Sequence, residues 1–571
     1  MKNIPLMSAR HRPWWLICLT LAPLAVSVAQ AQASLGDPLV RYQWHLSNDG
    51  SRVFADGIPT AGVDMNIGTL HQAGVRGAGV RVAVIDDGLD IRHEDLRDNV
   101  ALGLSRNFVD GTGDPTPADA GDSHGTGASG IIGAVGWNGL GGRGIAPSVL
   151  LTGFNMLASS PVTWYNQDAN IRYAWGSGRE AAFNDVFNNS WGIDVDYYPA
   201  ASRAELRSQE KLMASTRFGR GGIYVKSAGN SFLPSSGRKV CADALRLEIS
   251  CVNSNTDPMS NLVTLINVAA INAAGRRSSY SSAGSSVWIS APGGEYGYER
   301  RVAGNLAPVV YEPAIVTTDL AGCNRGASLG GAVNTLPASG LDPTCSYRAT
   351  YNGTSAAAPM VSGVAALMLG VNPALTARDV KYILAATAWQ IDPAQPVVRR
   401  GASVLDPGWV VNAAGHPYSN WYGYGMVDAS TAVRMARAFK SLPRQRDTGW
   451  VEASDSFVPI GGEQSSQGTV SVDITNKIKV EAVQLAFATT HPEPSNLRAV
   501  LTSPSGTQSY VLVPYSDLRR SGPDGFKVDI TSSSAFLDEK AQGKWTLRIV
   551  DVSATPKPGQ ITSFSMRVVG N

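Results

Sequence analysis

Charge is scarce in this chain. Asp, Glu, Lys and Arg make up 16% of it, acids and bases nearly cancel, and the formal net charge is +2. There is no basic run and no charged tail, so neither nucleic acid nor an anionic membrane surface is implied as a partner. Cysteine is rare as well, five residues in 571, and no Cys-x-x-Cys spacing occurs, which argues against a cysteine-held metal site. Past the N-terminus no run reads as long and apolar enough to cross a bilayer, so the mature protein is expected to be soluble, with no membrane anchor. What is abundant is glycine, 60 residues, within a globular composition that is 43% hydrophobic. The length exceeds what one core organises, so two or three domains are expected.

The N-terminus carries Lys2, Arg10 and Arg12, then an apolar run from Trp14 to Val28, then Ala29-Gln30-Ala31-Gln32-Ala33. This reads as a signal peptide over residues 1–33, with an Ala-x-Ala cleavage site after Ala31 or Ala33. A secreted protein follows, extracellular or periplasmic in transit, and the short signal suggests a bacterial source. Cys18 leaves with the signal. Cys241, Cys251, Cys323 and Cys345 remain, an even set in an exported protein, so two disulfides are expected. Of the three possible pairings, short loops favour Cys241–Cys251 with Cys323–Cys345.

Three stretches carry chemistry. Val80 to Ile85 makes a short apolar strand ending in Asp86-Asp87-Gly88, and the carboxyl end of a buried parallel strand is where ligands and chemistry collect. His124 heads a segment of Gly, Ala and Ser that lets a helix pack tightly with its imidazole at the exposed end. Gly353-Thr354-Ser355-Ala356-Ala357-Ala358-Pro359 precedes apolar residues at helical spacing, which places Ser355 at a helix mouth whose N–H groups favour a developing negative charge. Pro359 fits the first turn of that helix. A further run, Gly222 to Asn230, reads as another buried strand that delivers the Asn230 amide at its carboxyl end. Alone, each of these is an ordinary turn or cap. Together, in the order Asp86, His124, Ser355, they resemble the subtilisin ordering of an Asp-His-Ser triad.

The chain resembles the kexin/furin-like branch of the subtilisin-fold serine proteases. Val84-Ile85-Asp86-Asp87-Gly88, His124-Gly125-Thr126-Gly127, Ser227-Ala228-Gly229-Asn230 and Gly353-Thr354-Ser355 carry the resemblance, and Asn189-Ser190-Trp191-Gly192 and Tyr422-Gly423-Tyr424-Gly425 sharpen it. It implies an α/β catalytic domain, residues 34–440, built on a doubly wound parallel sheet. After Arg446, apolar residues alternate at Val483, Leu485, Phe487 and at Trp545, Leu547, Ile549, which reads as an all-β sandwich over 447–571. That part resembles the P domain of kexin-like proteases.

The resemblance also implies roles. Asp86, His124 and Ser355 are the triad, and Asn230 is the oxyanion donor. Substrate binding falls to Ser190, Trp191 and Gly192 as an edge strand, to Asp87 for a basic P2 residue and to Asp257 for a basic P1 residue. Ca²⁺ is implied at Asp37, Asp95, Val135, Asn138, Leu140 and Gly142, a hard-oxygen set. A second family calcium site is not expected, because its acidic positions read as Ser236 and Ser282. Only a few residues separate Ala33 from Asp37, leaving no room for the family's prodomain, so a separate folding chaperone is expected. The function implied is a secreted, monomeric serine endopeptidase acting on protein or peptide substrates after basic, dibasic sites. The alternative is a catalytically silent binding protein that uses the β-sandwich for recognition. An esterase is disfavoured, since the Gly-x-Ser-x-Gly elbow is missing at Ser355.

Overall fold

A computed structural model describes residues 36–571 except 52, 160–166, 234–240, 300–309 and 332–333. The signal peptide over 1–33, Cys18 and Ser236 lie outside the described residues. Seven strands form one parallel sheet: β1 Arg81–Asp86, β2 Arg106–Asn107, β3 Leu150–Asn155, β4 Val186–Asn189, β5 Ile223–Ser227, β6 Leu265–Ile271 and β7 Ile289–Pro292. Their order is β2-β3-β1-β4-β5-β6-β7. The chain therefore winds outward in both directions from β1, and the crevice at that switch point lies at the carboxyl ends of β1 and β4. Strands β4, β5 and β6 are buried along their whole length, so both faces are covered and even polar residues such as Asn188, Asn189, Lys226 and Asn267 lie inside.

Helices cover the sheet, among them α1 His124–Gly133, α2 Arg203–Gly219 and α3 Thr354–Val371. Every residue of α3 from Thr354 to Leu369 is buried. It is long and apolar enough to cross a membrane by length and composition, contrary to the expectation that no such segment follows the signal, but it is the core helix of this domain. Pro359 also departs from expectation: it lies beyond the first turn, where its missing N–H leaves the Ser355 carbonyl without a helical donor. The Ser190 hydroxyl supplies one, at 2.9 Å. Helix α1 packs on α3 and on β8, Ile315–Thr318, which pairs antiparallel with β9, Tyr347–Tyr351. Small residues permit this approach: a Cβ on Gly130 would come within 2.3 Å of Thr318 Oγ1, and one on Gly127 within 2.6 Å of the Tyr351 ring.

The C-terminal part is a sandwich of two antiparallel sheets. Its long strands are β10 Thr469–Ile474, β11 Val480–Thr489, β12 Leu497–Thr502, β13 Gln508–Leu512, β14 Phe526–Ser533, β15 Gly543–Asp551 and β16 Gln560–Gly570. One sheet runs β10-β15-β12-β13, and the other joins β16, β11 and β14. Trp545, Leu547, Ile549, Phe564, Met566 and Val568 fill the space between them, as the period-two pattern requires. The sandwich docks on the α/β domain through buried polar contacts. Arg567 Nη1 reaches Glu210 Oε2 of α2 at 2.9 Å and Gln484 Oε1 at 2.8 Å. The amide of Asn255 donates to Thr531 Oγ1 at 2.8 Å and to the Ser532 carbonyl at 3.0 Å, both on β14. Disulfides join Cys241 to Cys251 and Cys323 to Cys345, the pairing that the short loops favoured.

Candidate active site

The end of β1, the start of α1, the loop after β5 and the start of α3 meet at the switch-point crevice. Asp86, the last residue of β1, is buried, and its Oδ1 lies 2.8 Å from His124 Nδ1 and accepts the Asp87 N–H at 2.8 Å. The imidazole is half-exposed and tilted at 40° to the Tyr351 ring, 5.5 Å between centroids, while the Tyr351 hydroxyl donates to the His124 carbonyl at 3.0 Å. Burial lowers the His124 pKa, but the charges of Asp86 and Asp87 and the Asp86 hydrogen bond prevail, and the net direction is upward.

Ser355 sits in the first turn of α3, preceded by Gly353 in the left-handed region at φ 99°. Its hydroxyl donates to the Ser190 carbonyl at 3.0 Å rather than to His124. Asn230 Oδ1 accepts from the Thr354 N–H at 2.8 Å and from the Thr354 hydroxyl at 2.9 Å. With the oxygen held, the amide nitrogen is presented to the crevice as a donor. The structure thus joins Asp86 to His124, and Asn230 to the turn that carries Ser355.

Ser190, Trp191, Gly192 and Asp257 line a cavity together with Ser355, but both expected acids, Asp87 and Asp257, are engaged. Asp87 accepts the His124 N–H at 2.9 Å and the Gly125 N–H at 2.7 Å, so its carboxylate caps α1 instead of facing open cleft. Burial first, then the neighbouring Asp86 charge, pushes its pKa up to about 7. Asp257 lines the pocket beside Ser355, as the resemblance implied, but it is ion-paired there with Lys226 Nζ at 2.8 Å. Trp191 follows β4 and donates its indole N–H to the Ile85 carbonyl at 2.9 Å, which ties the Ser190–Gly192 segment to β1. Lys226 and Tyr351 were missed from the sequence. The signal for Lys226 was a charged residue inside an otherwise apolar buried strand.

The expected calcium residues cluster behind α1. Asp95 is fully buried; its Oδ1 accepts from the Asn138 amide at 2.7 Å, while Oδ2 has no hydrogen-bond partner among the described residues. Burial is the main cause that pushes its pKa up to about 8. An orphaned, buried carboxylate oxygen is what a hard cation would satisfy. Asp37 is different. It accepts the Trp137 and Asn138 N–H groups at 2.9 and 3.1 Å, and Arg143 Nη2 lies 2.6 Å from its Oδ2. The set therefore fits a cation at Asp95, whereas at Asp37 a guanidinium already supplies the positive charge. Val135, Leu140 and Gly142 lie on the same loop.

An aspartate at a strand end that orients a histidine, with a serine at a helix mouth beside it, on a doubly wound sheet, defines the class: a serine protease. The subtilase family (peptidase S8) matches residues 77–425, and the proprotein convertase P-domain matches residues 480–568. The chain belongs to the subtilase family and carries a P domain. It is 35% identical over 94% of its length to an extracellular serine protease of Aeromonas sobria, covering 91% of that protein. Kexin of Saccharomyces cerevisiae is 27% identical over 92% of this chain, which spans 55% of kexin. A solved structure of the Aeromonas sobria serine protease in complex with a chaperone, ORF2, superposes with a TM-score of 0.84 at 33% identity, covering 94% of this chain and 95% of that one.

Proposed function

We propose that this chain is an exported serine endopeptidase in which Ser355 is the nucleophile, His124 the general base and then acid, and Asp86 the group that holds the imidazole. Ser355 Oγ attacks the scissile carbonyl as His124 Nε2 takes its proton. The same proton then passes to the leaving amine, and a water repeats the sequence on the acyl-enzyme. Asp86 accepts from Nδ1, which fixes the tautomer with its lone pair on Nε2 and stabilises the imidazolium. Asn230 Nδ2 and the Ser355 N–H meet the oxyanion. The observation that carries this reading is the 2.8 Å Asp86–His124 contact, with Asn230 held against the turn that carries Ser355.

The reading includes a preference for basic residues at P1 and P2, drawn by Asp257 and Asp87; both carboxylates already have partners, which weakens the draw. Calcium, as the resemblance implies, would be held by Asp95 with Asn138 and the loop carbonyls of Val135, Leu140 and Gly142, and by Asp37 once Arg143 yields its Oδ2. Bound there it would supply rigidity to the loop behind α1. The 1–33 segment supports export, the boundary near 440–447 supports two separate folding units, and the relative crystallised with a chaperone supports a separate folding partner for this chain.

The test is reaction with a fluorophosphonate probe together with cleavage of Lys-Arg peptides. Wild type should be labelled on Ser355 and should cleave; Ser355→Ala should do neither. Failure of folded wild type to label would move the chain to the silent, binding reading.

A further inference from the structure

An amine stands in the pocket where the specificity reading places only an acid. A cavity of about 200 Å³ opens beside Ser355, walled by Ser190 to Asp194 and by Lys226 to Asn230, with Asp257 also lining it. Lys226 comes from the end of β5. Its side chain is 2% exposed and that of Asp257 8%. Nζ lies 2.8 Å from Asp257 Oδ2 and donates to the Ser227 carbonyl at 3.1 Å. The same Oδ2 accepts the Ile193 N–H at 3.2 Å, and Oδ1 accepts the Met259 N–H at 2.9 Å. Gly192 closes over the pair: a Cβ there would stand 2.5 Å from Nζ and 2.7 Å from Oδ2.

We propose that Lys226 is a specificity-determining residue of this pocket, an internal cation that answers Asp257 and makes the enzyme lenient about charge at P1. The inference rests on the protease reading above. A buried carboxylate attracts a P1 guanidinium or ammonium because that cation is its missing partner. Here the partner is built in. An entering Lys or Arg side chain must share a carboxylate that already has three donors, and it approaches a like charge at close range in a poorly solvated space. Uncharged P1 side chains pay neither cost. The pair therefore lowers the advantage of basic P1 residues without altering the nucleophile, which lies on another element.

The sign of the effect can be reversed from either side of the pair. Lys226→Met removes the charge at similar length and leaves Asp257 to be satisfied by the substrate. Asp257→Asn leaves Lys226 as the uncompensated charge, so the pocket should turn towards an acidic P1 residue.

The experiment measures kcat/KM for one peptide series that differs only at P1, with Lys, Arg, norleucine and Glu, on calcium-loaded full-length mature protein. Wild type should prefer Lys over norleucine by less than about tenfold, and Lys226→Met should raise that ratio by about tenfold or more, a change of one decade per 1.36 kcal/mol. Asp257→Asn should bring the ratio below one and raise Glu relative to norleucine. The double variant should return close to wild type, because the two changes act through one contact. An unchanged Lys:norleucine ratio in folded Lys226→Met would overturn the proposal. If Lys226→Met does not fold, Asp257→Asn decides: loss of basic preference with no gain for Glu also overturns it. A wild type that cleaves no peptide and takes no serine-directed probe sinks the protease reading itself, and this inference with it. A wild type that cleaves with a Lys preference of about a thousandfold sinks the inference alone.

Discussion

Replacing Asp87 by Ala separates two accounts of an acid that stands next to the triad. If Asp87 serves mainly as a recognition group for a basic P2 side chain, its loss should raise KM for P2-Lys and P2-Arg substrates and leave other substrates and the melting temperature alone. The hydrogen bonds point elsewhere. Its two oxygens take the first two N–H groups of α1, those of His124 and Gly125, at 2.9 and 2.7 Å. Losing one capping bond costs about 0.5–2 kcal/mol, and leaving a second buried N–H unmet costs about 1–3 kcal/mol. A total of about 1.5–5 kcal/mol is expected at acidic pH, with water in the vacated space recovering part of it.

The pH dependence carries the sign. The Asp87 pKa is raised above that of the unfolded chain, to about 7 by burial and by Asp86, so native protein holds this proton more tightly than unfolded protein. The stability this confers is fully present below about pH 4 and is lost as pH rises through 7. The variant lacks that slope, so its deficit against wild type should be larger at pH 5.5 than at pH 8. Because the Asp87 charge also raises the His124 pKa, the acid limb of kcat/KM should move to lower pH in the variant. Differential scanning fluorimetry across pH and pH–rate profiles for P2-Lys and P2-Ala peptides measure all three effects. An unchanged Tm and acid limb, with loss confined to P2-basic peptides, would refute the capping argument.

Other expectations follow from the same contacts. Asn230→Ala should lower kcat about 10²–10³-fold with little change in KM, read in steady-state kinetics, because in the proposed mechanism its amide meets the oxyanion and not the ground-state carbonyl. Wild-type kcat/KM should fall as pH drops through a value above 6.5, since His124 must be neutral to accept the serine proton and its pKa is raised; an acid limb below 6 would contradict this. Removing calcium with EGTA should lower Tm, since binding at a hundred times Kd is worth about 2.7 kcal/mol. Asp95→Asn should abolish that response, and an equal response in the variant would place the ion elsewhere.

Much of this site was legible because each chemical group ends or begins an element with its own local signature. Asp86 closes an apolar strand, His124 opens a segment of small residues, and Ser355 opens another whose helix shows in the apolar spacing. The alternation around Val483 and Trp545 likewise announced a sandwich. What escaped was pairing across sequence distance. Lys226 lies within β5 and Asp257 in the irregular stretch before β6, and only the tertiary fold brings them together. Arg143 reaches Asp37 because the glycine-rich loop turns back on α1, which no periodicity predicts. Pro359 was placed a turn too early because the rule for proline in helices assumes a lost hydrogen bond stays lost, and here Ser190 restores it.

Asn255 and Asn261 brace the stretch that holds Asp257: the Asn261 amide donates to the Asn255 and Asp257 carbonyls at 2.9 and 3.1 Å, and Asn255 in turn grips Thr531 and Ser532 of the sandwich. The wall of the cavity beside Ser355, the proposed P1 pocket, is therefore referenced to the second domain as a workpiece is to its jig. Grafting a foreign sandwich onto this catalytic domain would reset selectivity unless the graft offers a hydroxyl and a carbonyl at the same register. An enzyme trimmed of its sandwich, even if it stayed folded, would be a different reader of peptides.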